Sequence, residues 1–429
     1  MILSDDYAAE CYWIGDAPLP TALPEPLPRA VDVLIIGSGY TGLTAARETA
    51  LAGRSTLVVD VGDIGSGCSS RNGGQVAFSI KPDHAVLAAR HGEAVATGIY
   101  REALDAVASL RTLAVDEGVD CDWRDVGCFV GAHTPRHFHA LVREAEGQPK
   151  GLSQDFKVID RARLAEAIDS PLYHGGVVYP GDAAVHPARL VRSLHRRATD
   201  AGASFRARCG VEAIARGPAG FEVRTTDGVV AARQVLIATN GYTGAFSPWH
   251  RRRVLPIGSY ILATEPLDPA VVGRLIPHGR NVGDTRRVVI YLRPSPDGRR
   301  ILFGGRAAAG ETDVTRCLPR LRAMMAEVFP ELAHTRVSRA WMGFVGFTFD
   351  TLPHLGEQDG LFHCMGYCGQ GVPSATYYGR KIGLRMAGRP GGESALDGIE
   401  FPMRPFYHGR PWFLPAAIAG YRVRDALGI

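Results

Sequence analysis

The stretch Val31-Asp-Val-Leu-Ile-Ile-Gly-Ser-Gly-Tyr-Thr-Gly42 decides how the chain is read. A short apolar strand runs straight into a turn with glycine at 37, 39 and 42. Behind the turn, Leu43, Ala46 and Ala50 recur at helical spacing, and Thr56-Leu-Val-Val-Asp60 reads as a second strand ending on a carboxylate. Strand, turn, helix and strand in this order form the setting in which Gly-x-Gly-x-x-Gly marks a dinucleotide-binding turn. Gly37 permits the tight turn, Gly39 lets a pyrophosphate approach the backbone, and Gly42 lets the helix pack close to the strand. The N–H groups at the helix start, with the helix dipole behind them, suit a doubly charged phosphate bridge. Asp60 lies 23 positions after Gly37, close to the roughly 20-residue spacing of a carboxylate that takes a ribose 2′-OH. These features do not separate NAD from FAD.

Three further segments fit the same ligand. Ile64-Gly-Ser-Gly-Cys-Ser-Ser-Arg-Asn-Gly-Gly-Gln75 is poor in side chains that pack and rich in backbone N–H groups and hydroxyls that wrap a polar ligand. Gln234-Val-Leu-Ile-Ala-Thr-Asn-Gly-Tyr242 reads as a parallel strand of the same sheet that breaks at the ligand crevice. Leu361-Phe-His-Cys-Met-Gly-Tyr-Cys-Gly-Gln-Gly-Val372 repeats the passage from strand to glycine-rich turn, and a helix is expected from Pro373 to Met386.

Between and around these segments the pattern changes. Val254–Thr264, Arg287–Arg293 and Arg300–Arg306 read as long strands, the last two joined by a turn at Ser295-Pro-Asp-Gly298. A helix over 313–329 and a strand over 337–347 complete a second, largely antiparallel region. Helices are expected over 84–118, 134–147, 161–168 and 187–202. The first thirty residues hold five prolines between Pro18 and Pro28 and read as an extended arm, pinned by Tyr12 and Trp13.

Composition bounds the rest. At 429 residues the chain is long enough for about two or three domains. A net charge of +4 gives no case for nucleic acid, and no apolar run is long enough to span a membrane. The N-terminal residues lack a basic start and a long apolar core, so no signal peptide is read and a cytoplasmic location is expected. Eight cysteines then read as free thiols. His133, His137 and His139 have ligand-like spacing, but no carboxylate or cysteine completes a metal site, so no metal is expected.

Taken together, Gly37-Ser-Gly-Tyr-Thr-Gly-Leu43, Arg71-Asn-Gly-Gly-Gln75, Gly366-Tyr-Cys-Gly-Gln-Gly-Val372 and the tail Arg424-Asp-Ala-Leu-Gly-Ile429 resemble the FAD-dependent amine and amino-acid oxidase family. That family includes glycine oxidase, D-amino-acid oxidase and monomeric sarcosine oxidase, and the likeness is strongest to the γ-glutamylputrescine oxidoreductase group. It implies an α/β fold with a Rossmann-like FAD-binding domain and a second, largely antiparallel β-sheet substrate domain. The expected division is an arm at 1–30, an FAD-binding domain at 31–85, 150–245 and 350–400, a substrate domain at 86–149 and 246–349, and an extended tail at 401–429.

The resemblance also assigns roles. Gly37, Ser38, Gly39, Tyr40, Thr41 and Gly42 would hold the pyrophosphate, and Asp60 the adenine ribose. Ser69, Ser70, Arg71, Asn72, Gly73, Gly74 and Gln75 would run beside the pyrophosphate and the flavin, and Val211 would border the adenine. Ala238, Thr239, Asn240 and Gly241 would close the middle of the site. Gly369, Gln370, Gly371, Val372 and Pro373 would meet the flavin ring, where a helix N-terminus opposes negative charge near N1 and C2=O. Gln370 stands where relatives commonly carry histidine. Trp341-Met-Gly-Phe-Val-Gly-Phe347 holds no cysteine for covalent attachment, so non-covalent FAD is expected. Ile301-Leu-Phe-Gly-Gly305 offers no lysine for oxygen reduction, which leaves oxygen or another electron acceptor open.

The implied reaction is hydride transfer from the carbon of a neutral amine to flavin N5, giving an imine that water hydrolyses to an aldehyde or keto acid. Tyr260, Tyr291, Trp341 and Phe344 are candidates for the substrate wall, each with plain core as the alternative. Arg293 and Arg306 are candidates for a substrate anion, with Arg306 favoured. Gln370, Arg306, Tyr291 and Trp341 form the expected catalytic set. A dehydrogenase serving a quinone or carrier, and a flavin-binding subunit or sensor without turnover, are the alternatives. A homo-oligomer is compatible with the sequence.

Overall fold

Val33, Leu34 and Ile35 are fully buried, because the strand Ala30–Ile36 runs through the interior of a sheet and packs on both faces. In this computed structural model, which describes residues 2–21, 26–78, 80–217, 220–308 and 312–428, that sheet has eight strands. Its main path runs Val211–Gly217, Gly220–Thr225, Gly228–Ile237, Ala30–Ile36, Thr56–Val59, Ser204–Arg206. Leu361–Met365 pairs in parallel with the end of Gly228–Ile237, at Val235 to Ile237. Ile36 therefore stands beside both Val59 and Ile237, and the turns that follow these strands open at one end of the sheet. One face is covered by the helices Tyr40–Leu51, Glu93–Arg111, Pro187–Asp200 and Gly371–Met386.

Two of those helices touch backbone to backbone. A Cβ on Gly379 would lie 2.2 Å from Thr44 Oγ1 and 2.7 Å from Thr41 Cα, and one on Gly383 would lie 2.8 Å from Ala45 Cα. Only glycine lets Gly371–Met386 lie this close to Tyr40–Leu51, which sets both N-termini against one space. Gly379→Val should therefore destabilise the protein by about 1–3 kcal/mol, read as a lower denaturant midpoint.

The second sheet has nine strands. Their order is Leu3–Ala8, Val337–Phe347, Leu255–Thr264, Ile301–Gly305, Ile290–Pro294, Asn281–Asp284, Cys128–Gly131, Gly175–Tyr179, Lys157–Asp160. Side chains alternate between its faces. Ile290, Leu292, Tyr260, Leu262 and Phe303 pack under the helix Val314–Val328. Tyr291, Arg293, Ser259, Gly304 and Gly343 occupy the opposite set of positions.

Several expected boundaries move. The N-terminal stretch is not all extended arm: Leu3–Ala8 adds an edge strand in parallel with Val337–Phe347, and Tyr12–Asp16 is a short helix. Trp13 is buried and donates to Asn72 O at 2.8 Å. Residues 22–25, part of the proline-rich stretch, lie outside the described residues. Lys157–Asp160 and Gly175–Tyr179, placed by sequence in the FAD-binding domain, pair with each other inside the nine-stranded sheet. Glu93–Arg111, placed in the substrate domain, packs in the core beneath the eight-stranded sheet. The helix expected over 84–118 is broken at Gly92, whose φ of +88° is outside helical geometry. The segment 161–168 makes only a 3₁₀ turn, Arg161–Glu166. The tail is not all extended, since Leu414–Leu427 is helical and its Asp425 accepts the N–H groups of Arg287 and Val288 at 2.8 and 3.0 Å.

Candidate active site

The turn after Ala30–Ile36 is built on close approaches. Gly37 has a φ of +104°, and a Cβ there would lie 2.9 Å from Ala238 O. A Cβ on Gly42 would lie 1.9 Å from Gly37 O. Asp60 joins this turn to the next loop. Its Oδ2 accepts the Ser38 N–H at 2.8 Å and its Oδ1 accepts the Gly62 N–H at 2.9 Å. Ser38 Oγ in turn accepts the Gly65 N–H at 2.9 Å. Ser69 Oγ accepts the Tyr40 N–H at 3.0 Å, while the remaining first-turn N–H groups of the helix have no partner within it.

The loop after Asp60 is held from several sides. Arg71 Nε donates to Ser66 O at 2.7 Å, and Asn72 Oδ1 accepts the Gly74 N–H at 2.8 Å. Gln75 Nε2 donates to Leu292 O at 3.1 Å. At the last turn, Asn240 adopts a left-handed conformation at φ +44° and its Oδ1 accepts the Gly366 N–H at 2.9 Å. Gln370 caps Gly371–Met386 without a side-chain bond to the helix. Thr41 Oγ1 and Tyr367 OH meet at 2.5 Å, joining the starts of the two helices.

These turns face one cavity of about 2020 Å³, walled by residues of both sheets. Ordinary small-molecule pockets span roughly 300–1,000 Å³, so there is room for a dinucleotide and a further small molecule. Of the residues expected to hold FAD, Gly37, Gly39, Tyr40, Thr41, Asp60, Ser69, Arg71, Asn72, Gly73 and Gln75 line it. So do Val211, Ala238, Thr239, Asn240, Gly369, Gln370, Gly371 and Val372. Ser38, Gly42, Ser70, Gly74, Gly241 and Pro373 stand behind that wall. Ser70 Oγ donates to Gly65 O at 2.7 Å, and a Cβ on Gly74 would lie 2.3 Å from Val185 O. A continuous lining from a pyrophosphate-type turn to a second helix N-terminus fits an extended FAD. The Gly37 and Gly42 approaches show that the turn has no room for larger residues.

The other wall comes from the nine-stranded sheet. Tyr291 lies across Gly73 and Gly304, where added Cβ atoms would approach its ring to 3.0 and 2.2 Å. Its hydroxyl meets Ser259 Oγ at 2.8 Å, and burial pushes its pKa up. Arg306, buried, reaches Gly258 O and lines the cavity. Trp341 does not line it and is a correction: it has the same strand parity as Gly343, Val345 and Phe347, which do, but sits farther along the strand. There it donates Nε1 to Arg71 O at 2.8 Å and packs in the cluster that contains Trp13. Tyr260 faces the helix-covered side, and Phe344 packs edge-on against Tyr242. Arg293 also leaves the list, because its NH1 donates to Gly74 O and Val185 O at 3.1 and 2.9 Å.

Sequence inspection passed over several wall residues. Lys81 lines the cavity with its Nζ 5.7 Å from the Phe347 ring centre. Ile418 and Tyr421 reach it from the C-terminal helix Leu414–Leu427, and Phe413 from the residue just before that helix. Asp182 lines it from the turn Tyr179-Pro-Gly-Asp182, which reads as an ordinary loop. The eight cysteines are all free. Among the described residues no helix is long and apolar enough to cross a membrane.

Comparison with known proteins agrees with this geometry. The family described as DAO, FAD dependent oxidoreductase, matches residues 32–383. A probable oxidoreductase, OrdL, of Rhizobium meliloti (strain 1021) is 31% identical over 407 residues, covering 92% of each chain. The gamma-glutamylputrescine oxidoreductase of Escherichia coli (strain K12) is 28% identical over 410 residues, covering 93% of each chain. The crystal structure of glycine oxidase from Geobacillus kaustophilus shares the fold with a TM-score of 0.71 at 20% identity, over 88% of this chain and 99% of that one. The chain that carries the Gly37–Gly42 turn and the cavity beside it belongs to the DAO family of FAD-dependent oxidoreductases.

Proposed function

We propose that this enzyme oxidises the C–N bond of a primary or secondary amine or amino acid, with γ-glutamylputrescine-like amines as the leading class. One observation carries the proposal. The nucleotide-binding turns and the Tyr291–Ser259–Arg306 wall face the same cavity, so a small molecule can lie between the cofactor and the antiparallel sheet. The E. coli relative, a gamma-glutamylputrescine oxidoreductase, supports the amine class.

The residues that line the cavity from Gly37 to Val372 would hold FAD without a covalent link. Bound FAD supplies the hydride acceptor. The protein's part is to orient the donor carbon and to desolvate the amine, since only the neutral amine has a lone pair to form the C=N bond. The substrate loses a hydride from carbon and a proton from nitrogen. Water then cleaves the imine to an aldehyde or keto acid plus ammonia or an amine. The electron pair passes on to oxygen or to a quinone or carrier, and the rate of reoxidation in air distinguishes these. A cytoplasmic site of action fits eight free thiols.

Arg306 is assigned to a substrate anion. Arg306→Met should lower kcat/KM for carboxylate-bearing substrates by roughly 30-fold or more and leave simple amines little changed. Turnover assays that trap the aldehyde or measure released ammonia test the function itself. No product from any amine or amino acid, with FAD bound, would remove it.

A further inference from the structure

The C-terminal stretch carries an apolar surface that the cavity does not use. Among the described residues thirteen large hydrophobic side chains are exposed, and six of them lie between Met403 and Leu427. Phe406 is 82% exposed and Trp412 67%. The two are neighbours, since Trp412 Nε1 donates to Phe406 O at 3.4 Å. Phe406 is also held at a φ of +63°, a left-handed conformation that a bulky side chain adopts only at a cost. Next to it, Tyr407 is buried and donates its hydroxyl to Val254 O at 2.7 Å. The chain is thus anchored by Tyr407 with Phe406 turned to solvent.

The helix Leu414–Leu427 continues this surface. Leu414, Ala417, Ile418 and Tyr421 line the cavity. At about 100° per residue, Ala416, Ala419, Gly420, Val423 and Leu427 fall on the other side, and all five are exposed. A helix that is apolar all round is ordinarily covered all round. The charges nearby have one sign. Arg404, Arg410 and Arg424 are exposed, Arg251 lies against Gly409, and Arg320 acts on Arg422. The one acid in 401–429, Asp425, is already engaged by the Arg287 and Val288 N–H groups.

That combination selects the kind of cover. Two copies meeting through this face about a two-fold axis would set the same arginines against each other. A protein partner ordinarily makes about one hydrogen bond per 100–200 Å², and the exposed side chains of the helix include only Tyr421 and Arg424 as polar groups. A bilayer surface needs no directional bonds: aromatic and aliphatic side chains enter at headgroup level, and arginines meet the lipid phosphates.

We propose that the segment Met403–Leu427 docks this protein on the surface of an anionic lipid membrane. Phe406, Trp412, Val423 and Leu427 enter at headgroup depth, and Arg404, Arg410 and Arg424 meet the phosphates. The helix lies on the bilayer and does not cross it. The docking face lies outside the cavity and is independent of the amine-oxidation reading.

The test is flotation of the FAD-loaded protein with vesicles of phosphatidylcholine alone or of equimolar phosphatidylcholine and phosphatidylglycerol. The mixed vesicles should bind roughly 10-fold or more tightly than the neutral ones. Arg404→Gln with Arg410→Gln should lower affinity for the mixed vesicles by roughly 10- to 30-fold. Phe406→Ser with Trp412→Ser should lower it by roughly 30-fold or more. Phe406→Gly separates binding from folding. Glycine occupies this φ freely, so the denaturation midpoint should hold or rise while lipid affinity falls by roughly 10-fold. No flotation with the mixed vesicles, equal affinity for both kinds, or flotation that these variants leave unchanged would overturn the docking. A dimer in light scattering that Trp412→Ser dissociates would give the face to a second copy of the chain and overturn it too.

Discussion

Gly42→Val should yield a protein that folds but does not retain FAD. The first atom of any side chain at this position would lie 1.9 Å from Gly37 O, 3.1 Å from Gly37 C and 3.3 Å from Ile35 Cγ2. None of these can yield easily. Gly37 is itself pressed against Ala238 O, and Ile35 is fully buried. The helix Tyr40–Leu51 must therefore retreat by about 1.5 Å to restore an ordinary 3.4 Å contact. That shift moves the N–H groups of Thr41 and Gly42 away from the position proposed for the pyrophosphate and strains the Gly379 contact behind them. Overpacking of this kind costs about 1–3 kcal/mol, sometimes more, or roughly 5- to 150-fold in cofactor affinity if it falls on the bound state. The flavin-to-protein absorbance ratio after gel filtration measures it, with circular dichroism as the check on folding. A Gly42→Val protein that keeps full FAD would show that the turn does not hold the pyrophosphate.

Arg293→Met should destabilise the protein from behind the second wall. The guanidinium is 3% exposed, and burial pushes its pKa down to about 10, which leaves it charged at neutral pH. Its NH1 joins Gly74 O to Val185 O, and its centre stands 5.5 Å from the Trp13 ring. It clamps the Arg71–Gln75 loop to the segment that leads into Pro187–Asp200. Methionine fills much of the volume but leaves Val185 O without its donor, while Gly74 O keeps the Val185 N–H at 2.8 Å. At about 1–3 kcal/mol for an unsatisfied buried group, the loss is roughly 1–3 kcal/mol, read from a denaturation midpoint. KM for the substrate should change little in the fraction that retains flavin. A stable Arg293→Met protein with a greatly raised KM would instead place a substrate anion on Arg293.

Much of the nucleotide side was legible because its signals are local. Gly37, Gly39, Gly42 and Asp60 sit at fixed spacing between two strands. The Gly369–Val372 turn repeats the pattern, and each structural requirement falls within a few residues. The second wall depends on long-range pairing, so the sequence offers candidates there without placing them. Tyr260, Tyr291, Trp341 and Phe344 all lie on strands, but parity and distance along the strand decide which of them meets the cavity. Tyr291 does, opposite Gly73. Trp341 has the right parity and sits beyond the cavity's edge. Arg293 and Arg306 look alike beside their hairpin, and only the fold shows that backbone carbonyls occupy Arg293. The short strands Lys157–Asp160 and Gly175–Tyr179 carry no signal that assigns them to one sheet over the other. Asp182 was hidden for the same reason: in Tyr-Pro-Gly-Asp it is a turn residue, and its burial comes from segments far away in sequence.

The most direct measurement is anaerobic titration of the FAD-loaded protein with amines, N-methyl amino acids and γ-glutamyl amines, following the flavin absorbance band. Amine oxidation by this protein requires that at least one of these classes bleach the flavin and that an aldehyde or keto acid form in equal amount. A yellow protein that none of them reduces would contradict it.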